Sequence, residues 1–435
     1  MFSHVRARRA AHVHWPKAPS TARRRTGSCL RLVSVIFLAE KRRKRVGLCA
    51  AACVALLLAV SARPSGDSGA TDDAIARLGR KLQDGTATLE YRDGVGYLPS
   101  LLRLLGIDID SQVLVFSKTS FQQSLINPKN PRALYFNDNV AIGMVPGGTV
   151  YEMMALEPSH GLAFYTLDTK KTDQPAFQRR GIDCLFCHAP GNKGAAAMVV
   201  ASVIPNPDGS PAYTSAFIDT IDHRTPFDRR WGGWYVTGTH GSQTHMGNAV
   251  ASDPEHPLDL DTRNTQNVTS LADRIDVSKY LAPTSDIVAL MTLEHQVGAT
   301  NRLGALAVQY RNAERAGVMS AADEARIDGE VRDLVDYLTF KDEAPFGAPV
   351  QGVSTFTRTF AAEGPRDSRG RSLREFDLKT RLFKHRLSYM IYSDLFDSMP
   401  RALKTQVYAR LAGVLRERDP IALDIARETK SDFRD

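Results

Sequence analysis

Apolar positions recur along this chain in two rhythms, and the change between them divides it. Residues 72–82 place Ile75, Leu78 and Leu82 at helical spacing, and 97–105 read as a second short helix. From residue 113 the period shortens. Apolar and aromatic runs at 113–116, 133–136, 140–145, 149–156 and 162–167 are separated by Asn137-Asp138-Asn139, Pro146-Gly147-Gly148 and Pro158-Ser159-His160-Gly161. Strands this closely spaced predict an antiparallel meander over 112–170. A hairpin follows, with arms at 198–204 and 212–218 around Pro205-Asn206-Pro207-Asp208-Gly209-Ser210. The acidic, polar stretch 250–282 reads as a surface loop. Beyond 283 the helical rhythm returns. Ser285 is placed to cap a helix reaching about residue 316, and Ser320 with Asp323 has the spacing of a capping box for a helix to 340. A Pro/Gly-rich connection over 341–370 leads to helices expected near 371–395, 400–417 and 420–430. The predicted fold class is α+β: an antiparallel meander region and a loop/helix segment, then an α-helical C-terminal domain.

Ahead of the first helix neither rhythm is present. Residues 1–45 are strongly basic, ending in Lys41-Arg42-Arg43-Lys44-Arg45; an apolar run over 46–60 and the small pair Ser61-Ala62 follow. This is the order of a secretory signal: charged region, apolar region, cleavage site. The expected organisation is a leader over 1–62, a short helical segment over 63–111, a β-rich region over 112–282 and a helical domain over 283–435. The expected location is the periplasm or another exported compartment. The alternative is an uncleaved segment anchoring the chain to the inner membrane, because about 17 apolar residues is the lower limit for spanning. Membrane association is expected only in that case.

The leader also accounts for the charge. The whole chain has 56 Lys+Arg against 48 Asp+Glu; without the 13 basic and one acidic residue of 1–62 it has 43 against 47. The mature part is slightly acidic, so the basic balance is no sign of a nucleic-acid partner. Cys29, Cys49 and Cys53 fall in the leader as well, which leaves Cys184 and Cys187 as the mature cysteines and no disulfide framework.

Those two cysteines stand in Cys184-Leu185-Phe186-Cys187-His188, the C-x-x-C-H pattern of c-type haem attachment. Two thiols one helical turn apart reach the two vinyl groups of one porphyrin, and the next residue turns an imidazole toward the iron. With 5 Cys and 11 His in 435 residues, composition alone yields this pattern about once in a thousand chains. Zinc would need two further ligands and a second Cys pair is absent; a redox dithiol usually follows a strand of a βαβ unit, and the pattern here predicts none. One covalent haem c is therefore expected, with Cys184 and Cys187 as thioethers and His188 as proximal ligand.

For the sixth ligand the segment 240–246 stands out, rich in Gly and haem-ligand residues: His245 ranks first, Met246 second and His240 third, with His223 and His295 beyond them. Arg179 and Arg180, just before the motif, are the right type for haem propionates or are simply solvated loop residues. His295 and Arg302, seven residues apart on one helix face, could serve as a distal acid–base pair for peroxide cleavage, although a lone His on an apolar face is usually a core residue. A mononuclear metal at His240, His245 and His256 is a remoter possibility; His160, His256 and His385 read as structural or surface.

The motif resembles c-type cytochromes in general. Together with Ser117-Lys118-Thr119-Ser120-Phe121, Asn130 to Asp138, Phe164 to Asp168, Trp231 to Gly241 and Leu293-Glu294-His295-Gln296, the chain also resembles a group of large exported bacterial single-haem proteins without a settled activity. The resemblance implies haem c and export and carries over no catalytic residue. The expected function is an exported monohaem c-type cytochrome-like protein that transfers electrons to a redox partner the sequence does not name. The alternatives are a haem enzyme of peroxidase or oxygenase type, suggested by a mature chain far longer than one haem module, and a haem-based sensory or binding module.

Overall fold

The computed structural model describes residues 72–158, 161–181, 184, 188, 196–212, 219–252, 260–317 and 319–433. The leader, Cys187, His160, His256 and part of the 198–218 hairpin lie outside the described residues.

The fold is α+β. Asp73 caps α1 (Ala74–Gln83) through the N–H groups of Ile75 and Ala76, and burial of Ile75 and Leu78 docks it. After α2 (Leu98–Leu105), the chain runs through β1 (Val113–Val115), β2 (Arg132–Phe136), β3 (Val140–Met144), β4 (Val150–Glu157), β5 (Gly161–Asp168) and β6 (Gln178–Arg180). Each is antiparallel to the next, and β9 (Trp234–Tyr235) closes the sheet beside β1. The meander was thus legible; β6 and β9 were not, being short, polar or detached in sequence. Of the two-stranded pairs, β7 (Ala201–Ser202) pairs with β8 (Asp219–Thr220), just past the arm expected over 212–218, and β10 (Gly238–Thr239) pairs with β11 (Gln351–Gly352).

The sheet buries its two faces unequally. Ala133, Tyr135, Ile142, Tyr151, Met153 and Ala155 lie on the face packed against α1 and α2. The opposite face packs on the C-terminal helices near Leu156, Leu162 and Phe164, while Arg132, Leu134, Ala141, Glu152 and Met154 on it stay half-buried. Strand geometry alone separates the two sets, since side chains alternate faces.

The helical part is α3 (Ile287–Arg315), α4 (Ala321–Leu338), α5 (Phe356–Ala362), α6 (Asp394–Asp397), α7 (Arg401–Arg418) and α8 (Pro420–Thr429). Sheet and helices share one hydrophobic cluster and belong to one compact unit, Gly69–Asp435. Among the described residues no helix is long and apolar enough to cross a membrane. The Ser320/Asp323 capping box forms as expected. The cap of α3 is Asp286, which accepts from the N–H groups of Val288 and Ala289; Ser285 instead donates to the Tyr235 carbonyl and accepts from Leu114 N–H, tying α3 to the sheet. The helix expected near 371–395 is absent. Asp377 accepts from the N–H groups of Lys379 and Thr380, Leu378 is left-handed, and Phe376 bridges back to Phe383, so the segment turns on itself.

Gly298 in α3 faces Tyr337 of α4, where a Cβ would strike the phenol. Alanine gains about 1 kcal/mol of helix propensity. Against that, it forces apart a fully buried pair and strains the Tyr337 O–H bond to the His295 carbonyl (3.2 Å). We expect Gly298→Ala to destabilise by about 1–3 kcal/mol, read as a lower urea midpoint with unchanged slope.

Candidate functional site

Of the motif, Cys184 and His188 are described, and His188 lies against Phe164 of the sheet. Cys184 and His188 both have helical backbone, and Cys184 N–H donates to the Gly181 carbonyl at 3.1 Å. Cys184 is half-buried against the same cluster that contains Phe164. The His188 ring lies 5.0 Å, centroid to centroid, from the Phe164 ring of β5. Its Nδ1 is 2.8 Å from the Ala197 carbonyl oxygen, and Ala197 N–H donates back to the His188 carbonyl at 2.6 Å. A carbonyl can only accept, so Nδ1 carries the proton and Nε2 keeps its lone pair. Burial holds the ring below the ordinary histidine pKa, which favours the neutral form that ligates metals.

Strand register lays out the floor beneath His188. One row across the face runs Phe136, Ala141, Met154, Phe164, Arg180; the next runs Leu134, Gly143, Glu152, Thr166, Gln178. Arg132 of β2 crosses over β3 to Glu152 of β4, Nη2 to Oε2 2.6 Å. It can cross because β3 has glycine there: a Cβ on Gly143 would run into the guanidinium. The Arg132 Nε is buried without a hydrogen-bond partner. Sequence reasoning passed over Arg132, Glu152, Met154 and Ala197; the one local signal was a glycine in the middle of a strand. Arg180 is on the Met154 row and Arg179 is paired opposite Tyr165, toward the other face.

The 240–246 segment forms a separate aromatic cluster. The His245 ring packs on Trp231 (5.2 Å) and His240 (4.7 Å), with Phe227 beside both. Both His240 nitrogens are occupied: Nδ1 with the Gln243 carbonyl (2.7 Å), Nε2 accepting from Asn267 N–H (3.0 Å). His245 Nδ1 accepts from Gly247 N–H at 3.0 Å, which puts the neutral ring's proton on Nε2. Met246 Sδ accepts from Ser202 Oγ at 3.7 Å. The described contacts of His188 and those of His245 and Met246 share no residue. Among the described residues no three His, Cys, Asp or Glu side chains converge as a metal site.

A third cluster is closed to solvent. Glu294 and His295 of α3 are fully buried. Glu294 accepts from Trp231 Nε1 and from Arg230, Nη1 to Oε2 3.2 Å; burial still outweighs the pull of Arg230 and pushes its pKa up to about 7. His295 has Nδ1 3.0 Å from His223 Nδ1 and Nε2 2.6 Å from Ser388 Oγ. Arg302 does reach the same aromatic neighbour, lying 4.0 Å over the Tyr337 ring on which His295 stacks, but it pairs with Asp333 (2.9 Å). With both His295 nitrogens engaged inside a packed core, this pair lines no open distal pocket. The arrangement is that of a buried polar core joining α3 to the Trp231 loop. No protein-family model, curated protein or solved structure matches this chain.

Proposed function

We propose that this chain is an exported protein that carries one haem c covalently on Cys184 and Cys187, ligated by His188, and that it passes single electrons. The observation that carries this reading is the state of His188: Ala197 holds the protonated Nδ1 and leaves the Nε2 lone pair free, as a proximal ligand requires. The surroundings fit the group. Cys184 is four residues before His188 and both have helical backbone, the adjoining sheet face carries Phe164 beside half-buried Leu134, Ala141 and Met154, and Arg132 has a buried Nε without a hydrogen-bond partner. A bound haem iron supplies a reversible one-electron couple whose potential follows from its axial ligands and burial. The protein's own work is to fix the imidazole, limit water on one side and leave an edge accessible to a redox partner. The closed state of His295 favours electron transfer over peroxide cleavage.

The test is expression with an export signal in a host that attaches haem c. The purified chain is expected to give a c-type pyridine haemochrome that survives denaturation, and Cys184→Ala together with Cys187→Ala is expected to abolish it. A colourless wild-type protein would end this reading.

A further inference from the structure

We infer that a cleft beside the β2–β3 turn binds a neutral, hydroxyl-rich molecule, a polyol or sugar, and seats one of its hydroxyls between Arg374 and Asp110. Nothing in this site depends on haem.

The cleft opens where the turn at 108–111, the β2–β3 turn and α5 meet. Its floor is buried: the rings of Phe136, Phe356 and Phe360, and the Arg374 side chain, a residue 5% exposed. Its rim is acidic: Asp108 and Glu363 are exposed, and Asp110 and Asp138 are half-buried. The enclosed part measures about 20 Å³. That is room for about one water-sized group, with the rest of a ligand lying in the open mouth.

Two polar groups lining this space lack partners. Arg374 spends Nη2 on Asp138, and its guanidinium lies over the rings of Phe360 (4.5 Å) and Tyr389 (4.8 Å). Its Nε and Nη1 are buried and make no hydrogen bond. Glu363 Oε2 stands 3.6 Å from Nη1, beyond hydrogen-bond reach. Asp110 Oδ2 accepts from the hydroxyls of Thr355 (2.6 Å) and Thr359 (2.8 Å), while its Oδ1 is buried without a donor. Buried polar atoms are almost always paired, so an open donor and an open acceptor in one cleft mark an occupant.

Together they select its chemistry. The group that enters has to accept from Arg374 and donate to Asp110 at once. An ammonium only donates and a carboxylate only accepts; a hydroxyl does both. Charge agrees. Four carboxylates against one guanidinium repel an anion, and the guanidinium on the floor repels a metal ion. Among the described residues no three acids converge as metal ligands. The phenylalanine rings supply the apolar surface that a ligand's carbon skeleton needs. Water has the same donor and acceptor capacity, and it is the occupant that the ligand displaces.

The test is saturation-transfer NMR on the purified chain with glucose, mannitol, inositol and glycerol, each up to about 50 mM. At least one is expected to show transfer that saturates in the low millimolar range, the strength of a few hydrogen bonds offset by the cost of association. Asp110→Asn keeps the shape of the side chain. The two threonine hydroxyls hold its amide oxygen, which turns its NH₂ toward the donors of Arg374. It should weaken binding at least about tenfold, with an unchanged urea midpoint. Glu363→Gln, on the exposed rim, is the second variant and should weaken binding about threefold without touching the core. Absence of transfer from all four probes leaves water alone in the cleft and overturns the assignment. Transfer that neither variant diminishes also overturns it, as does a response to calcium chloride with none to the polyols.

Discussion

Replacing Arg230 by methionine is expected to destabilise the protein by about 3–5 kcal/mol near pH 8, the cost of leaving a buried charge unpaired. Arg230 is 2% exposed and Glu294 fully buried. The guanidinium bonds Glu294 and also the carbonyls of Thr225 (2.8 Å) and His223 (3.1 Å). Methionine fills much of the space and satisfies none of these acceptors. Trp231 Nε1 would be the remaining donor to the carboxylate. Because burial already holds Glu294 at about 7, the variant has an escape: it can protonate the acid. The penalty should therefore shrink on going from pH 8 to pH 5.5, and Glu294→Gln in the same chain should recover about half of it or more. Urea unfolding of wild type, Arg230→Met, Glu294→Gln and the double variant at both pH values measures this. An Arg230→Met penalty that is small and independent of pH would mean that Glu294 is neutral in the wild type as well, and that the pair is a hydrogen bond rather than an ion pair.

This cluster is what the sequence could not display. Glu294 and His295 looked like two polar residues on an apolar helix, and the residues that satisfy them come from the 223–231 loop, from Ser388 and from α4. No local period encodes such distant pairings. The meander was legible because alternation is local: where Tyr151, Met153 and Ala155 go in, Glu152 and Met154 must go the other way. The helix expected over 371–395 failed for the same reason that made it plausible. Leu373, Phe376, Phe383 and Leu387 are indeed inward-facing or packed on the core, but the Asp377 turn delivers them as a folded-back loop. At the motif, residues within one helical turn were readable. Ala197, Phe164 and Arg132 come near His188 through register and chain reversal, so spacing could give the motif but not its surroundings.

The buried cluster around Glu294 is expected to make acid destabilisation steeper below pH 4.5 than above it. Burial and nearby arginines push the pKa of His295 down to about 3, and burial with His295 beside it pushes His223 well below the ordinary value. Both stay neutral in the fold, while in the unfolded chain each takes a proton below its model value of 6.5. The unfolded state then binds more protons, so their contribution is present above pH 6.5 and is lost as pH falls. Glu294 acts in the opposite sense. Its folded pKa of about 7 lies above the unfolded 4.5, so the fold holds a proton that the unfolded chain has released, and stability from this group is lost as pH rises. Between pH 6.5 and 4.5 the two histidines outweigh the one acid by a single proton, so this cluster contributes a slope of about 1.4 kcal/mol per pH unit. Below 4.5 the acid is protonated in both states and the cluster's contribution should double. Urea midpoints taken at half-unit steps from pH 7.5 to 3.5 test this. Glu294→Gln should remove the break and give the steeper slope from pH 6.5 onward, and His295→Asn should lower the slope by one proton throughout. A His295→Asn curve parallel to that of wild type down to pH 4.5 would require the histidine pair to take up protons in the folded state, through openings of the packing around Ser388 and Tyr337.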